Sequence, residues 1–417
     1  MIRRRNFMLA SGALASLALN PRSVFSQEQE TIFKDTLSQR VAEIIEEYSA
    51  QGIHRTGTTV DNQSGQWLAD RIAELGVKPE LERFEFERVQ PMNNSLTIGD
   101  QTFEGVPAYD CTYTDANGIT GRVGALGSDA EIGILQVRPF GSAPEVRKLY
   151  AAREKGLHKA FIAVTTPELP AGGVAPLNAE DFNRPFGPPV LQVASDSWDA
   201  LQRAAQNRVP VKLTVHCERV TSEAMNVAAR IEGRDSSLPP LVIMTPRSGW
   251  WRNASERGGG IACFLEMMRA IKQAEPARDV FFTANTGHEL GHVGLDRYLQ
   301  RNHALIKDAR LWVHLGANFA AAHGSSVRLQ YSDRALQDLT QEHLDRADIK
   351  AAAETPIGQR PLGEARNIFD GDGRYISVLG GNGLFHHPQD TWPEAVNLDE
   401  ISKWTQVFAG LGVALSR

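Results

Sequence analysis

Five short clusters of polar residues in the second half of the chain carry side chains that can do chemistry. Four of the five contain His or Glu, and neutral imidazole and carboxylate are ligands that zinc prefers. A single histidine of this kind is usually a hydrogen-bonded loop residue, but the clustering favours a shared site. The clusters are Arg247-Ser248-Gly249-Trp250-Trp251, Glu256-Arg257-Gly258-Gly259-Gly260, His288-Glu289-Leu290-Gly291-His292, His314-Leu315-Gly316-Ala317-Asn318 and Phe385-His386-His387-Pro388-Gln389-Asp390-Thr391.

The third cluster matches the pattern H-E-x-x-H. On a helix this spacing places His288 and His292 on one face as zinc ligands, with Glu289 beside them as general base. Glycines within and on both sides of the cluster oppose a helix, because each costs roughly 1 kcal/mol in a helix interior. The apolar residues just before it, Val280–Phe282, predict a strand instead. A helical zinc motif is therefore an alternative interpretation rather than the favoured one.

Alternating strands and helices are expected to position these clusters. The pattern after Glu223 predicts an α/β fold with a mostly parallel sheet and helices on both faces. In such sheets ligands bind at the carboxyl ends of strands, where three of the polar clusters fall. Strands are predicted at Asn226–Ile231, Leu241–Met244, Val280–Thr283 and Leu311–Leu315, and helices at Ile261–Gln273 and Asp296–Asn302.

Residues 101–222 show a second, smaller α/β pattern. Strands are predicted at Ile132–Val137 and Ala160–Val164, with a helix at Val146–Lys155 between them. A further strand, helix and strand follow before residue 216. This segment is therefore expected to form a smaller module of its own.

Composition excludes several classes of function. The 417 residues contain 44 Lys and Arg against 50 Asp and Glu, so a surface that coats nucleic acid is not expected. The three cysteines are too few for a disulfide scaffold. Cys111 and Cys217 can form one bridge, and free buried thiols are an equal alternative.

The N-terminus has the pattern of an export signal. Residues 1–26 begin with arginines, continue with the apolar run Phe7–Leu19 and end in small residues. Arg4-Arg5 and the residues after it resemble a twin-arginine signal, with an ordinary secretory signal as the alternative. The run is too short for a permanent membrane anchor. A periplasmic or secreted protein is therefore predicted.

On these residues the chain resembles the zinc aminopeptidases of the di-zinc exopeptidase class that carry an inserted protease-associated domain. Phe385–Thr391 is similar to the family's final Tyr-His-Thr-Pro-x-Asp-Thr, and Asn226–Gly233 resembles the strand that leads into its catalytic domain. Gly133-Ile134-Leu135 and Lys155-Gly156 occur in the order of the inserted domain. The resemblance implies a peptidase-like catalytic domain at 27–100 and 223–417, with a protease-associated-like insert at 101–222.

The resemblance also implies a reduced metal site. The family's first ligand motif, His-x-Asp, is replaced by Pro246-Arg247-Ser248, and a later aspartate is replaced by Gly316. The two ligands that bind only one of the family's two zinc ions are therefore missing, so one ion is expected rather than two. The resemblance assigns this zinc to three residues, Glu256, Glu289 and His386.

Other residues receive roles around that zinc. His288 stands where the family has its carboxylate base, so it is the predicted general base. Arg247 and Arg257 are predicted to bind an anionic group or to stabilise an oxyanion. The tryptophans Trp250 and Trp251 are predicted to line the substrate pocket. Further candidates for metal or substrate binding are His292, His314, Asn318 and Asp390.

The favoured function is an exported metal-dependent hydrolase that acts on a small peptide or another amide, with zinc as cofactor. Two alternatives stay open. One is a catalytically inactive, peptidase-like binding protein with an aromatic pocket. The other is a hydrolase that uses His288 and His292 as zinc ligands. Neither substrate identity nor oligomeric state is predicted.

Overall fold

The computed structural model describes the backbone of residues 27–417 and the side chains from residue 37 onward. Residues 37–417 form one compact unit. The predicted export signal at 1–26 lies outside the described residues. Helices are α1 Gln27–Ala50, α2 Thr59–Glu74, α3 Pro144–Glu154, α4 Trp198–Gln206, α5 Gly259–Gln273, α6 Val293–Arg301, α7 Leu305–Asp308, α8 Arg334–Arg346, α9 Ala365–Asp370 and α10 Leu398–Ser416. None of these described helices has the length and apolar character needed to cross a membrane.

Thirteen strands in the described residues form one continuous sheet. They are β1 Pro79–Ile98, β2 Gln101–Pro107, β3 Ile119–Ala125, β4 Ile132–Val137, β5 Ala160–Thr165, β6 Val190–Val193, β7 Pro210–Ile231, β8 Leu241–Pro246, β9 Val280–Asn285, β10 Leu311–Leu315, β11 Ser326–Tyr331, β12 Ala353–Thr355 and β13 Tyr375–Gly381. The order across the sheet is β1-β2-β6-β5-β4-β3-β7-β9-β8-β10-β13-β11-β12.

The four strands β9, β8, β10 and β13 pair in parallel and form the centre of one half of the sheet. Their residues alternate between two cores. Leu241 and Ile243 of β8 pack with α2, α5 and α10, whereas Val242 and Met244 pack with α6 and α9 on the opposite face. The predicted α/β class, with a mostly parallel sheet and helices on both faces, is confirmed.

Strands β3 to β6 form a second parallel group that packs against α3 and α4 with separate cores. The long strands β1 and β7 pair antiparallel over nearly their whole lengths and join the two groups. Strand β7 crosses the predicted boundary at 222/223 without a break. The predicted domain limits and the protease-associated character of the insert stay predictions. All three cysteines are free thiols.

Candidate active site

The polar clusters meet at the carboxyl ends of the central parallel strands, as their positions in the sequence predicted. Pro246 at the end of β8 pairs with Asn285 at the end of β9, so the loops that follow these strands lie side by side. The loop after β10 joins them, because the backbone N–H of Asn318 donates to the backbone oxygen of Glu256 at 3.1 Å. Parallel pairing therefore brings distant sequence clusters into one site.

Glu289 is buried and held by two hydroxyl residues. One carboxylate oxygen accepts hydrogen bonds from the backbone N–H and the hydroxyl of Thr56, at 3.0 and 2.6 Å. The other accepts from the hydroxyl of Ser248 at 2.7 Å. The side chain is thus fixed by the loop between α1 and α2 and by the loop after β8. Nothing in the sequence pattern marked Thr56 for this role.

The same loop carries His54, which is fully buried and stacks on Tyr48 at a ring distance of 3.9 Å. Burial lowers the pKa of His54 to about 3. The fold therefore holds this ring neutral. The unfolded chain takes up a proton on His54 below its pKa of about 6.5, whereas the folded chain does not, so the free energy of unfolding falls as the pH drops below that value.

We expect His54→Phe, which keeps a stacked ring but cannot titrate, to reduce the sensitivity of stability to acid. Between pH 7 and pH 5 the wild type should lose about 2 kcal/mol more of its unfolding free energy than the variant. Urea unfolding of both proteins at the two pH values measures this difference. Equal losses in both proteins would contradict the assignment.

Glu256 lies in a short π-helical turn, Ala254–Gly258, that Asp390 caps. One oxygen of Asp390 accepts from the backbone and hydroxyl of Ser255, each at 2.8 Å, and the other accepts from the backbone N–H of Glu256 at 3.0 Å. Burial raises the pKa of Asp390 to about 7. Asp390 therefore positions the turn, and so does Asn318. The metal or substrate roles predicted for these two residues stay predictions.

The Glu256 carboxylate contacts two further site residues. One of its oxygens lies 2.8 Å from Nη2 of Arg257 and 3.5 Å from Nε2 of His386. Burial raises the pKa of Glu256, and the charge of Arg257 opposes that rise. His386 is oriented by its other ring nitrogen, which lies 2.6 Å from the backbone oxygen of Pro176. Glu256 and His386, two of the three predicted zinc ligands, therefore lie next to each other.

His288 and His292 lie side by side and are both buried. Their rings stack at 4.8 Å, and Nδ1 of His288 lies 3.2 Å from a carboxylate oxygen of Glu364. Nδ1 of His292 lies 2.7 Å from the side-chain oxygen of Asn367. Burial, followed by the positive charge of Arg257, lowers the pKa of His288 well below its usual value. Burial therefore favours the neutral ring, and the role of His288 as general base stays a prediction.

Glu364 was missed by sequence reasoning, because it belongs to none of the five clusters and its contact with His288 spans 76 positions of the chain. It is fully buried, and burial raises its pKa to about 7. The predicted candidate His314 is also fully buried. Its Nδ1 lies 2.8 Å from the hydroxyl of Ser377, and burial lowers its pKa to about 3.

The alternative of a helical H-E-x-x-H motif is wrong. His288–Leu290 forms a single 3-10 turn rather than a helix. Gly287 and Gly291 on either side adopt left-handed backbone angles, with φ of 75° and 72°. His292 is also left-handed, at φ 69°, and lies before the first residue of α6. The two histidines therefore do not project from successive turns of a helix.

Left-handed non-glycine residues are concentrated at this site. Asn253, His292, Asn318 and His386 all have φ between 53° and 71°. Such conformations cost free energy and cluster at functional sites, where surrounding contacts hold them. Their concentration here supports a functional site rather than an ordinary set of loops.

Arg247 requires a correction, because the structure places it in a structural ion pair instead of a catalytic role. Its guanidinium lies 2.8 Å from a carboxylate oxygen of Asp61 and donates to the backbone oxygens of Asp61 and Met225. Both partners of the pair are fully buried. The side chain is therefore committed to holding α2 and β7.

The predicted aromatic pocket also requires correction. Trp250 is fully buried, packs edge-on against Tyr109 at 5.0 Å and donates to the side-chain oxygen of Asn178. Trp251 is only partly buried and donates to the backbone oxygen of His386 at 2.9 Å. Trp250 is therefore a core residue, and Trp251 supports the loop that carries His386.

A cavity of about 1030 Å³ lies beside that loop. Its walls come from residues 167–171, from His323 and from residues 383–394, which places it between the two strand groups. His288 and Arg257 are not among the residues that line it. Leu384 and Pro388, close in sequence to His386, line it, together with Glu168 and Glu394. The cavity is large enough for a short peptide.

The three predicted zinc ligands are not arranged as a zinc site in this structure. Among the described residues, no three His, Cys, Asp or Glu side chains assemble into a group that could hold a metal. Catalytic zinc is usually held by three protein ligands. Glu256 and His386 are neighbours, but Glu289 is engaged by Thr56 and Ser248, and the guanidinium of Arg257 already contacts Glu256.

Comparison with known proteins agrees with the fold. Residues 226–411 match the family model of Peptidase family M28. A peptidase M28 precursor from Shewanella amazonensis SB2B has a similar structure, with a TM-score of 0.74 and 16% identity over 94% of this chain and 98% of that chain. BSAP, a zinc aminopeptidase from Bacillus subtilis, has a TM-score of 0.72 and 13% identity over 91% of this chain and 94% of that chain. For an aminopeptidase from Aneurinibacillus sp. strain AM-1 the TM-score is 0.66 and the identity 16%, over 91% of this chain and 93% of that chain.

Transferrin receptor protein 1 of Gallus gallus is 21% identical over 187 residues, which cover 42% of this chain and 24% of that protein. The chain therefore spans about a quarter of the length of this curated relative. At these identities the structural likeness establishes the fold. The chain resembles the zinc aminopeptidases, as its sequence predicted, and has the architecture of a metallopeptidase-like hydrolase.

Proposed function

We propose that the protein is an exported hydrolase that cleaves peptide or other amide bonds, with His288 as its general base. The observation that carries the proposal is the pair of His288 and Glu364, whose facing atoms lie 3.2 Å apart. A histidine whose ring is oriented by a third group is a recognised arrangement of a catalytic base. The match to a peptidase family supports amide bonds as the target.

Each group has a role in this mechanism. With Glu364 ionised, Nδ1–H of His288 donates to it, and Nε2 takes a proton from the attacking water. Water oxygen bonds to the amide carbon, and the positive charge of Arg257 stabilises the oxyanion. The carbon–nitrogen bond then breaks, and His288 returns the proton to the departing amine. The cavity beside residues 383–394, which His288 does not line, is proposed to hold the part of a bound peptide that does not react.

A second form of this function keeps a single zinc on Glu256, Glu289 and His386. The orientation of His386 favours it, because a ring fixed through Nδ1 to a backbone oxygen is typical of histidines that bind metal through Nε2. Zinc would supply a Lewis acid for the carbonyl in that form. The positions of Glu289 and Arg257 oppose it.

A substrate screen tests the proposal. Purified mature protein is incubated with aminoacyl amides, dipeptides and internally quenched peptides, and released amine is measured. We expect slow, saturable hydrolysis of at least one amide class. No turnover on any substrate, together with saturable quenching of tryptophan fluorescence by a peptide, would contradict hydrolysis and favour the binding-protein alternative.

Export by the twin-arginine pathway is part of the same proposal and rests on residues 1–26. Replacement of Arg4 and Arg5 by Lys should retain the protein in the cytoplasm of a bacterial host, as fractionation and immunoblotting would reveal. Unchanged export of the variant would point to an ordinary secretory signal.

A further inference from the structure

Glu256 and His386 have acceptor atoms that receive no hydrogen bond from the described part of the chain. Both carboxylate oxygens of Glu256 and Nε2 of His386 are buried without a hydrogen-bond partner. Nε2 of His314 is also buried and unpartnered. Buried acceptors of this kind are costly unless a donor or a cation satisfies them.

The guanidinium of Arg257 is a cation placed against these acceptors. Its Nε donates to the backbone oxygen of Ser248 at 2.7 Å, which fixes the side chain. Nη2 touches Glu256 at 2.8 Å, but the angles do not make a hydrogen bond, so both Nη atoms stay without a hydrogen-bond partner. The contact is therefore an ion pair, and charge rather than hydrogen bonding holds it.

We infer that Arg257 is the resident cation of the Glu256–His386 pair and that it excludes divalent metal ions from a latent metal site. A divalent ion on Glu256 would lie within a few ångströms of the guanidinium, and repulsion at that distance is strong in a buried site. Removal of Arg257 leaves a buried carboxylate without a counter-charge, which a metal ion can supply. This inference is about metal binding and does not depend on catalysis.

Calorimetric titration with zinc chloride tests the inference on four proteins. They are the full mature wild type, Arg257→Met, Arg257→Met combined with Glu256→Gln, and Arg252→Met as a neighbouring exposed control. We expect no tight zinc binding to the wild type or to the control. Arg257→Met should bind one zinc per chain at least about 100-fold more tightly than the wild type. The double variant should lose that gain.

Two results would overturn the inference. One is a wild type that binds one zinc per chain with a submicromolar Kd. The other is an Arg257→Met variant that binds zinc no more tightly than the wild type. If Arg257→Met does not fold alone, it is refolded with and without zinc, and Arg257→Gln is titrated in parallel. Folding that requires zinc supports the inference, whereas failure under both conditions, with no gain in Arg257→Gln, counts against it.

Discussion

His288→Gln is expected to lower kcat/KM for amide hydrolysis by about 10²- to 10⁴-fold, which is the usual contribution of a general base. The side chain is buried, and Gln is close to it in size, so the change removes a proton acceptor without leaving a large cavity. The thermal midpoint should therefore change little. Steady-state kinetics on the best substrate from the screen, together with circular dichroism melts, measures both quantities.

Two further variants sharpen this result. Glu364→Gln should lower kcat more than it raises KM, because Glu364 orients the ring but does not touch the substrate. His303→Gln changes an exposed histidine and should leave the rate unchanged. A His288→Gln enzyme with a rate within about threefold of the wild type would exclude His288 as the base.

Arg247→Met is expected to destabilise the fold by about 3–5 kcal/mol, because it leaves the buried carboxylate of Asp61 without a partner. The guanidinium also donates to backbone oxygens of α2 and β7, so the loss extends beyond one ion pair. Urea unfolding of the variant measures the change in free energy. The rate of amide hydrolysis per folded molecule should be unaffected.

The control for this substitution is Arg334→Met, which removes an arginine that is exposed on α8 and should cost less than about 1 kcal/mol. The double change Arg247→Met with Asp61→Leu should recover part of the lost stability, because no buried charge is left unpaired. A small effect of Arg247→Met alone, combined with a large loss of activity, would restore the catalytic role first predicted for this residue.

Local sequence patterns were sufficient to predict the parallel strands of the sheet and the position of the site at their carboxyl ends. The apolar runs that became β8, β9 and β10 were predicted within a few residues, because buried parallel strands read as short continuous apolar segments. The polar loops after these strands then had to meet at one edge of the sheet. The meeting of Glu256 with His386 followed from the family resemblance rather than from spacing.

Side-chain partners could not be predicted in the same way. Arg247 resembled a catalytic arginine because its partner, Asp61, lies 186 positions away and belongs to no motif. Trp250 resembled a pocket wall because the sequence does not show that Tyr109 and Asn178 cover it. Glu364 was overlooked for the same reason. Long-range contacts of this kind depend on the register of the whole sheet.

The H-E-x-x-H pattern shows how a motif fails without its structural context. The glycines around it were correctly interpreted as evidence against a helix, and the structure uses Gly287 and Gly291 at positive φ. Those angles suit glycine because it has no Cβ. The same pattern on a regular helix would have placed both imidazoles on one face.

Metal content per chain is the measurement that most directly tests whether a buried arginine, rather than zinc, supplies the positive charge of this site. Plasma mass spectrometry is applied to protein purified without chelators or metal-affinity resin. We expect well below one zinc per chain, with amide hydrolysis retained. About one zinc per chain, lost together with activity in Glu289→Gln, would contradict the resident role of Arg257 and establish the single-zinc form.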